Sequence, residues 1–134
     1  MAIDSPDVRI LDGSALGVLR QLQEPGAPDV VSEMLRMFFE DSAKRLASAA
    51  EAVASGDAQQ LQLLAHQLRA GAALIGAERV AQIAWQIELA AKIGRTHSAR
   101  ALVHRLADAI QLTRATVAQF GLGGSIREFR AKEN

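Results

Sequence analysis

The chain has 134 residues, 49% of them hydrophobic, with fifteen Lys and Arg against fifteen Asp and Glu, and neither cysteine nor tyrosine. A formal charge of zero offers no electrostatic footprint for nucleic acid or an anionic membrane surface, and the lack of cysteine excludes disulfides and thiolate metal sites. The length fits one domain able to bury its own core; no apolar run reaches a membrane span and the start does not read as a signal peptide, so a cytoplasmic protein is expected.

Residues 1–10 read as an irregular lead-in, with Pro6 limiting any early helix. Asp12 or Ser14 caps a short first helix through about Gln23, carrying Leu16, Leu19 and Leu22. The run from Glu24 to Pro28 (Glu-Pro-Gly-Ala-Pro) breaks the chain, and Pro28 suits the first turn of the next helix. That second helix is expected from about Asp29 to Ala54, with Val31, Leu35, Phe38, Leu46, Ala49 and Val53 inward. Gly56 suits its C-terminal cap, and Asp57 the N-cap of a third helix running from about Ala58 to Leu74 and closed by Gly76.

A fourth helix is expected from about Ala77 to Ile93, with Val80, Ile83, Ala84, Ile87 and Ala91 inward. Trp85 and Leu89 add a second apolar stripe, read as packing against a second neighbour. The last helix spans about Ser98 to Phe120, with Leu102, Leu106, Ile110, Thr113, Val117 and Phe120 inward. Connections this short make successive helices antiparallel neighbours. The predicted fold is therefore all-α: an up-and-down antiparallel four-helix bundle over residues 11–120, with a short N-terminal capping helix. Residues 121–134 read as a glycine-rich joint and a flexible or weakly helical tail.

On the third helix, Leu61, Leu64, Ala65, Leu68, Ala72 and Ile75 share one face. His66 lies on the other, between glutamines on the preceding turns and Ala70 and Ala73 on the following ones, with Arg69 at i+3. If the third and fourth helices pair around Gly76, His66 lies ten residues before the turn and Glu88 twelve after it, near the same level. The same count around Gly56 brings Lys44 of the second helix toward that level. The surface around the ring then comprises Gln62, Leu63, Arg69, Ala70, Ala73, Glu88 and Lys44, and Leu63 with Leu74 gives it a mildly apolar character. His97, in a turn, and His104, on the wet face of the last helix, read as ordinary surface residues, and Gly71 as a site of close helix approach.

An exposed imidazole is largely neutral at cytoplasmic pH, and its neutral nitrogen is a competent nucleophile toward an activated phosphoryl group. Arg69 would offset phosphoryl charge, and Glu88 would orient the second ring nitrogen. No glycine-rich loop followed by Lys-Ser/Thr is present to bind ATP, so the phosphoryl group has to come from a partner.

The run from Ala65 to Ala72 (Ala-His-Gln-Leu-Arg-Ala-Gly-Ala), followed by Ile75-Gly76-Ala77, resembles the His-x-Leu-Lys-Gly-x-Ala … Leu-Gly-Ala signature of histidine-containing phosphotransfer (HPt) domains. Phe38-Phe39-Glu40-Asp41 with Gly56-Asp57, Ile87-Glu88 and Leu11-Asp12 extend the likeness. The resemblance implies a phosphorelay intermediate in two-component signalling, accepting phosphoryl on His66 from one receiver-domain aspartate and donating it to another. It implies no cofactor of its own, Mg²⁺ in the partner receiver, and receiver domains of response regulators or hybrid histidine kinases as partners of a monomer without kinase activity. Two positions depart from the signature: Arg69 replaces a lysine, and Ala70 replaces a glycine, with a glycine at Gly71 instead. The rival reading is an adaptor that grips a receiver or kinase domain without being phosphorylated. A dimeric sensor-kinase histidine domain is disfavoured by Gln67 after the histidine and by a bundle complete in one chain.

Overall fold

The computed structural model describes residues 8–120. Five helices follow in order: α1 (Gly13–Gln21), α2 (Val30–Ser55), α3 (Ala58–Ile75), α4 (Glu78–Lys92) and α5 (Ala99–Phe120), and no strand occurs among the described residues. The expected lead-in falls partly on residues 1–7, and the expected tail wholly on 121–134; both stretches lie outside the described residues, as does the side chain of Phe120.

Local chemistry sets the helix boundaries. The Asp12 side chain accepts from the Ser14 N–H, Asp29 from Ser32, and Asp57 from Gln60, each satisfying a donor that the first turn leaves unpaired. Asp29 also accepts from the Ser32 hydroxyl at 2.9 Å. The Ser32 backbone and side-chain bonds hold its carboxyl below the ordinary value, with Arg20 adding to them. Pro28 thus precedes the cap rather than opening the helix, because Asp29 takes the capping position. Helix α1 ends at Gln21, short of Gln23, whose amide is used elsewhere: its Nε2 donates to the carbonyls of Ala27 at 2.9 Å and Pro28 at 2.6 Å, while its Oε1 accepts from the Val30 N–H at 2.8 Å. One side chain thereby stitches the α1–α2 loop.

α2, α3, α4 and α5 close a ring in which α2 meets α3, α3 meets α4, α4 meets α5 and α5 returns to α2; α1 touches α2 and α3. The core is built from Leu35, Leu61, Leu68, Ile83, Ile87 and Leu106, all within 2% of full burial. Burying each such side chain contributes about 1.5–3 kcal/mol. Thr113 is also fully buried, its hydroxyl donating to the Ala109 carbonyl at 2.8 Å so that no polar group is left unpaired. Phe38 and Phe39 meet edge to face, and the Arg114 guanidinium lies 4.5 Å from the Phe39 ring centre.

The second apolar stripe of α4 does not pack inward. Trp85 and Leu89 are 39% and 41% exposed. The faces of α4 toward α3 and α5 are filled by Val80, Ile83, Ala84, Ile87 and Ala91, which leaves Trp85 and Leu89 on the outer surface. Leu63 and Leu74 on α3 are likewise half exposed.

Gly76 sets the α3–α4 turn. Its φ of +80° caps α3 in the left-handed region, and its carbonyl accepts the Asp12 N–H at 2.7 Å. A Cβ there would stand 2.3 Å from the Asp12 carbonyl oxygen. Gly71 differs: an added Cβ would meet the Phe38 ring at 3.5 Å, an ordinary contact, so close helix approach does not require glycine there. Gly76→Ala should therefore destabilise the fold by about 2 kcal/mol or more, from left-handed strain plus collision with the α1 backbone. Gly71→Ala should stabilise it by up to about 1 kcal/mol through helix propensity. Urea unfolding of the two variants checks the opposite signs.

Candidate functional site

His66 stands mid-way along α3, with its side chain 57% exposed. It faces solvent because Leu61, Leu64, Ala65 and Leu68 take the core side of the helix. Its Nδ1 lies 3.2 Å from Glu88 Oε2 on α4, so pairing around Gly76 brings the two residues into contact. Arg69 completes a triad: its Nε donates to Glu88 Oε1 at 2.9 Å, its Nη2 reaches Oε2 at 3.5 Å, and the same Nη2 stands 3.3 Å from His66 Nδ1.

Glu88 is the least exposed member, at 17% of its side chain against 39% for Arg69. Partial burial pushes its carboxyl upward, but hydrogen bonds from Arg69 and His66, with the charges they bring, outweigh this and hold it below its ordinary value of 4.5. A carboxylate that keeps its charge against desolvation can fix the tautomer of a neighbouring imidazole. No hydrogen bond of His66 Nε2 is found among the described residues.

A family profile described as Hpt domain matches residues 33–116. The chain belongs to the Hpt domain family. It is 40% identical over 65 residues to histidine-containing phosphotransfer protein 2 of Arabidopsis thaliana, a match covering 46% of this chain and 42% of that protein. It is 34% identical over 68 residues to histidine-containing phosphotransfer protein 5 of the same plant, covering 48% and 43%. The chain thus spans less than half the length of these curated relatives. The crystal structure of histidine-containing phosphotransfer protein B from Pseudomonas aeruginosa PAO1 superimposes with a TM-score of 0.74 at 26% identity, covering 97% of this chain and 100% of that one.

Around the triad of this Hpt domain, Leu63, Ala70 and Ala73 are exposed on α3, and Gln62 is half-buried. A groove of about 670 Å³ opens beside Arg69 and Ala73, walled by Gln82 and Trp85 of α4 and floored toward Asp12 and Gly76. Lys44 is exposed on α2, and no hydrogen bond or ion pair joins it to the triad among the described residues. The α2 cation that does reach α3 is its neighbour Arg45, whose Nε donates to Gln67 Oε1 at 3.2 Å. One step along a helix turns a side chain by about 100°, and counting levels across a turn does not separate the two residues. His97 and His104 are exposed and stand apart from the triad. Among the described residues no group of three or more His, Cys, Asp or Glu is placed to hold a metal ion, and no helix is long and apolar enough to cross a membrane.

Since the Glu88 carboxyl is held lower in the folded chain than in the unfolded one, its stabilisation is complete above about pH 4.5 and is lost as pH falls through the depressed folded value. Glu88→Gln should cost about 1 kcal/mol at pH 7 and progressively less below pH 4.5. Denaturant unfolding of the two proteins at neutral and acid pH measures the convergence.

Proposed function

We propose that the chain is a phosphorelay intermediate in which His66 takes a phosphoryl group from an aspartyl phosphate on one receiver domain and passes it to an aspartate on another. The observation that carries this reading is the exposed ring, engaged at Nδ1 by Glu88 and open at Nε2. With the proton on Nδ1, the ring donates to Glu88 and the Nε2 lone pair points outward as nucleophile. The other tautomer would set a lone pair of Nδ1 against a carboxylate oxygen at 3.2 Å, with Arg69 Nη2 at 3.3 Å as its donor.

Nε2 attacks phosphorus, the N–P bond forms as the P–O bond to the receiver aspartate breaks, and that carboxylate leaves with the electron pair. The ring keeps its Nδ1 proton and gains positive charge, which Glu88 stabilises as a carboxylate does behind a catalytic histidine. The return step reverses this order, with the cationic ring as leaving group. Arg69 holds Glu88 through Nε and Nη2, so Nη1 carries the N–H groups available to phosphoryl oxygens. The receiver supplies Mg²⁺, docking on the surface of Leu63, Ala70 and Ala73, and the chain acts as a cytoplasmic monomer that draws phosphoryl from partners rather than ATP.

A second reading, an adaptor that binds a receiver or kinase without phosphorylation, is favoured by two features: Arg69 is already committed to Glu88, and the Ala70 methyl lies one turn from the nucleophile. Incubation with a phosphorylated receiver separates the two. The relay requires acid-labile, base-stable label on the native chain and none on His66→Gln. Arg69→Ala should slow transfer about tenfold. Tight receiver binding by a native chain that takes no label would make it an adaptor.

A further inference from the structure

Charge is unevenly distributed along this neutral chain. From Leu89 to Ala107 there are four cations, Lys92, Arg95, Arg100 and Arg105, and no carboxylate. Among the other described residues, Arg9, Arg20, Arg36, Arg45 and Arg69 pair with acids, and Arg114 lies against Phe39. None of the four in this stretch forms an ion pair among the described residues, and all four are exposed.

Two of them border a groove of about 350 Å³ between α4 and α5. Its apolar part is Leu89, Ile93 and Leu102, and its polar part includes Arg95, Arg105 and Ser98. Ile93 is 67% exposed, a large apolar side chain left in water at the end of α4. The Arg95 backbone is pinned by its N–H bond to the Ala90 carbonyl at 2.8 Å, after Gly94 turns the chain at φ +77°. The point at which the Arg95 side chain leaves the backbone is therefore set at one end of the groove, which shares no lining residue with the groove beside the triad.

We propose that the α4–α5 groove binds an acidic amphipathic segment of a partner protein, with its apolar side chains on Leu89 and Ile93 and its carboxylates on Arg95 and Arg105. Bidentate guanidinium–carboxylate pairing suits such a rim, and unpaired arginines incur no cost of breaking an internal ion pair first. The apolar floor has no counterpart on a nucleic-acid backbone. A concave channel between helices fits a rod of side chains and would stay unfilled against a flat bilayer. The inference does not depend on phosphoryl chemistry at His66.

The test titrates the ¹⁵N-labelled full chain with a synthetic peptide of about fourteen residues bearing Leu and Glu on opposite helical faces, beside a version with Gln for every Glu. The expected result is amide shifts confined to residues 86–105, binding at least about fivefold weaker for the Gln peptide and for Arg95→Gln/Arg105→Gln, and marked weakening between about 50 and about 300 mM salt. His66→Gln should bind the peptide unchanged, so failure here and failure of phosphotransfer are read separately. Equal binding of the two peptides would overturn the proposal, as would unchanged affinity in a double variant whose helical circular dichroism is native. So would shifts centred elsewhere, stronger perturbation of the same amides by phosphatidylglycerol vesicles, or sedimentation showing a dimer closed through this face.

Discussion

The register between α3 and α4 is the constraint on which the site depends. It is set at Gly76, where a left-handed residue caps one helix, turns the chain, and offers its carbonyl to the Asp12 N–H. From that point the two helices run antiparallel, so Glu88 falls beside His66 rather than a turn above or below it. A slip of one residue would rotate either side chain by about 100° and dissolve the contact. The short α1 therefore does more than cover apolar surface: its first residues press on the turn that aligns the site. The Arg9–Glu78 ion pair and the Arg79 bond to the Val8 carbonyl tie the same corner from outside.

Electrostatics within the triad are unequal. Glu88 is the most covered member, accepting from Arg69 at both oxygens and meeting His66 at one. It resists neutralisation because desolvation is outweighed by the hydrogen bonds and charges of Arg69 and His66 taken together. The imidazole thus sits next to a persistent negative charge while remaining open to a partner. The same carboxylate holds the guanidinium through Nε and Nη2, so the reach of Arg69 beyond the triad depends on how firmly Glu88 holds it.

Much of this was legible in the residues. Aspartates before periodic runs and glycines after them mark the ends of α2 and α3 to within a residue or two, since each cap has a specific hydrogen-bonding task. The level of Glu88 follows from counting, because antiparallel helices of equal rise keep residues equidistant from the turn in step. Reach is a different matter. The sequence does not tell that Arg69 turns toward Glu88, nor that Arg45 rather than Lys44 contacts α3, since both depend on rotamers and on the roll of one helix against another. Trp85 and Leu89 mislead for a related reason: an apolar stripe predicts a neighbour, yet an alanine-rich core lets α4 bury itself with other side chains.

Trp85 has a consequence of its own. It is the sole tryptophan in a chain without tyrosine, so the near-ultraviolet emission of the folded protein comes from one indole. That indole is partly in water and forms one wall of the groove beside Arg69. Anything that settles over the groove strips water from the ring and shifts its fluorescence to the blue. The molecule thus carries its own optical gauge of occupancy a short way from the imidazole, with no dye or label attached.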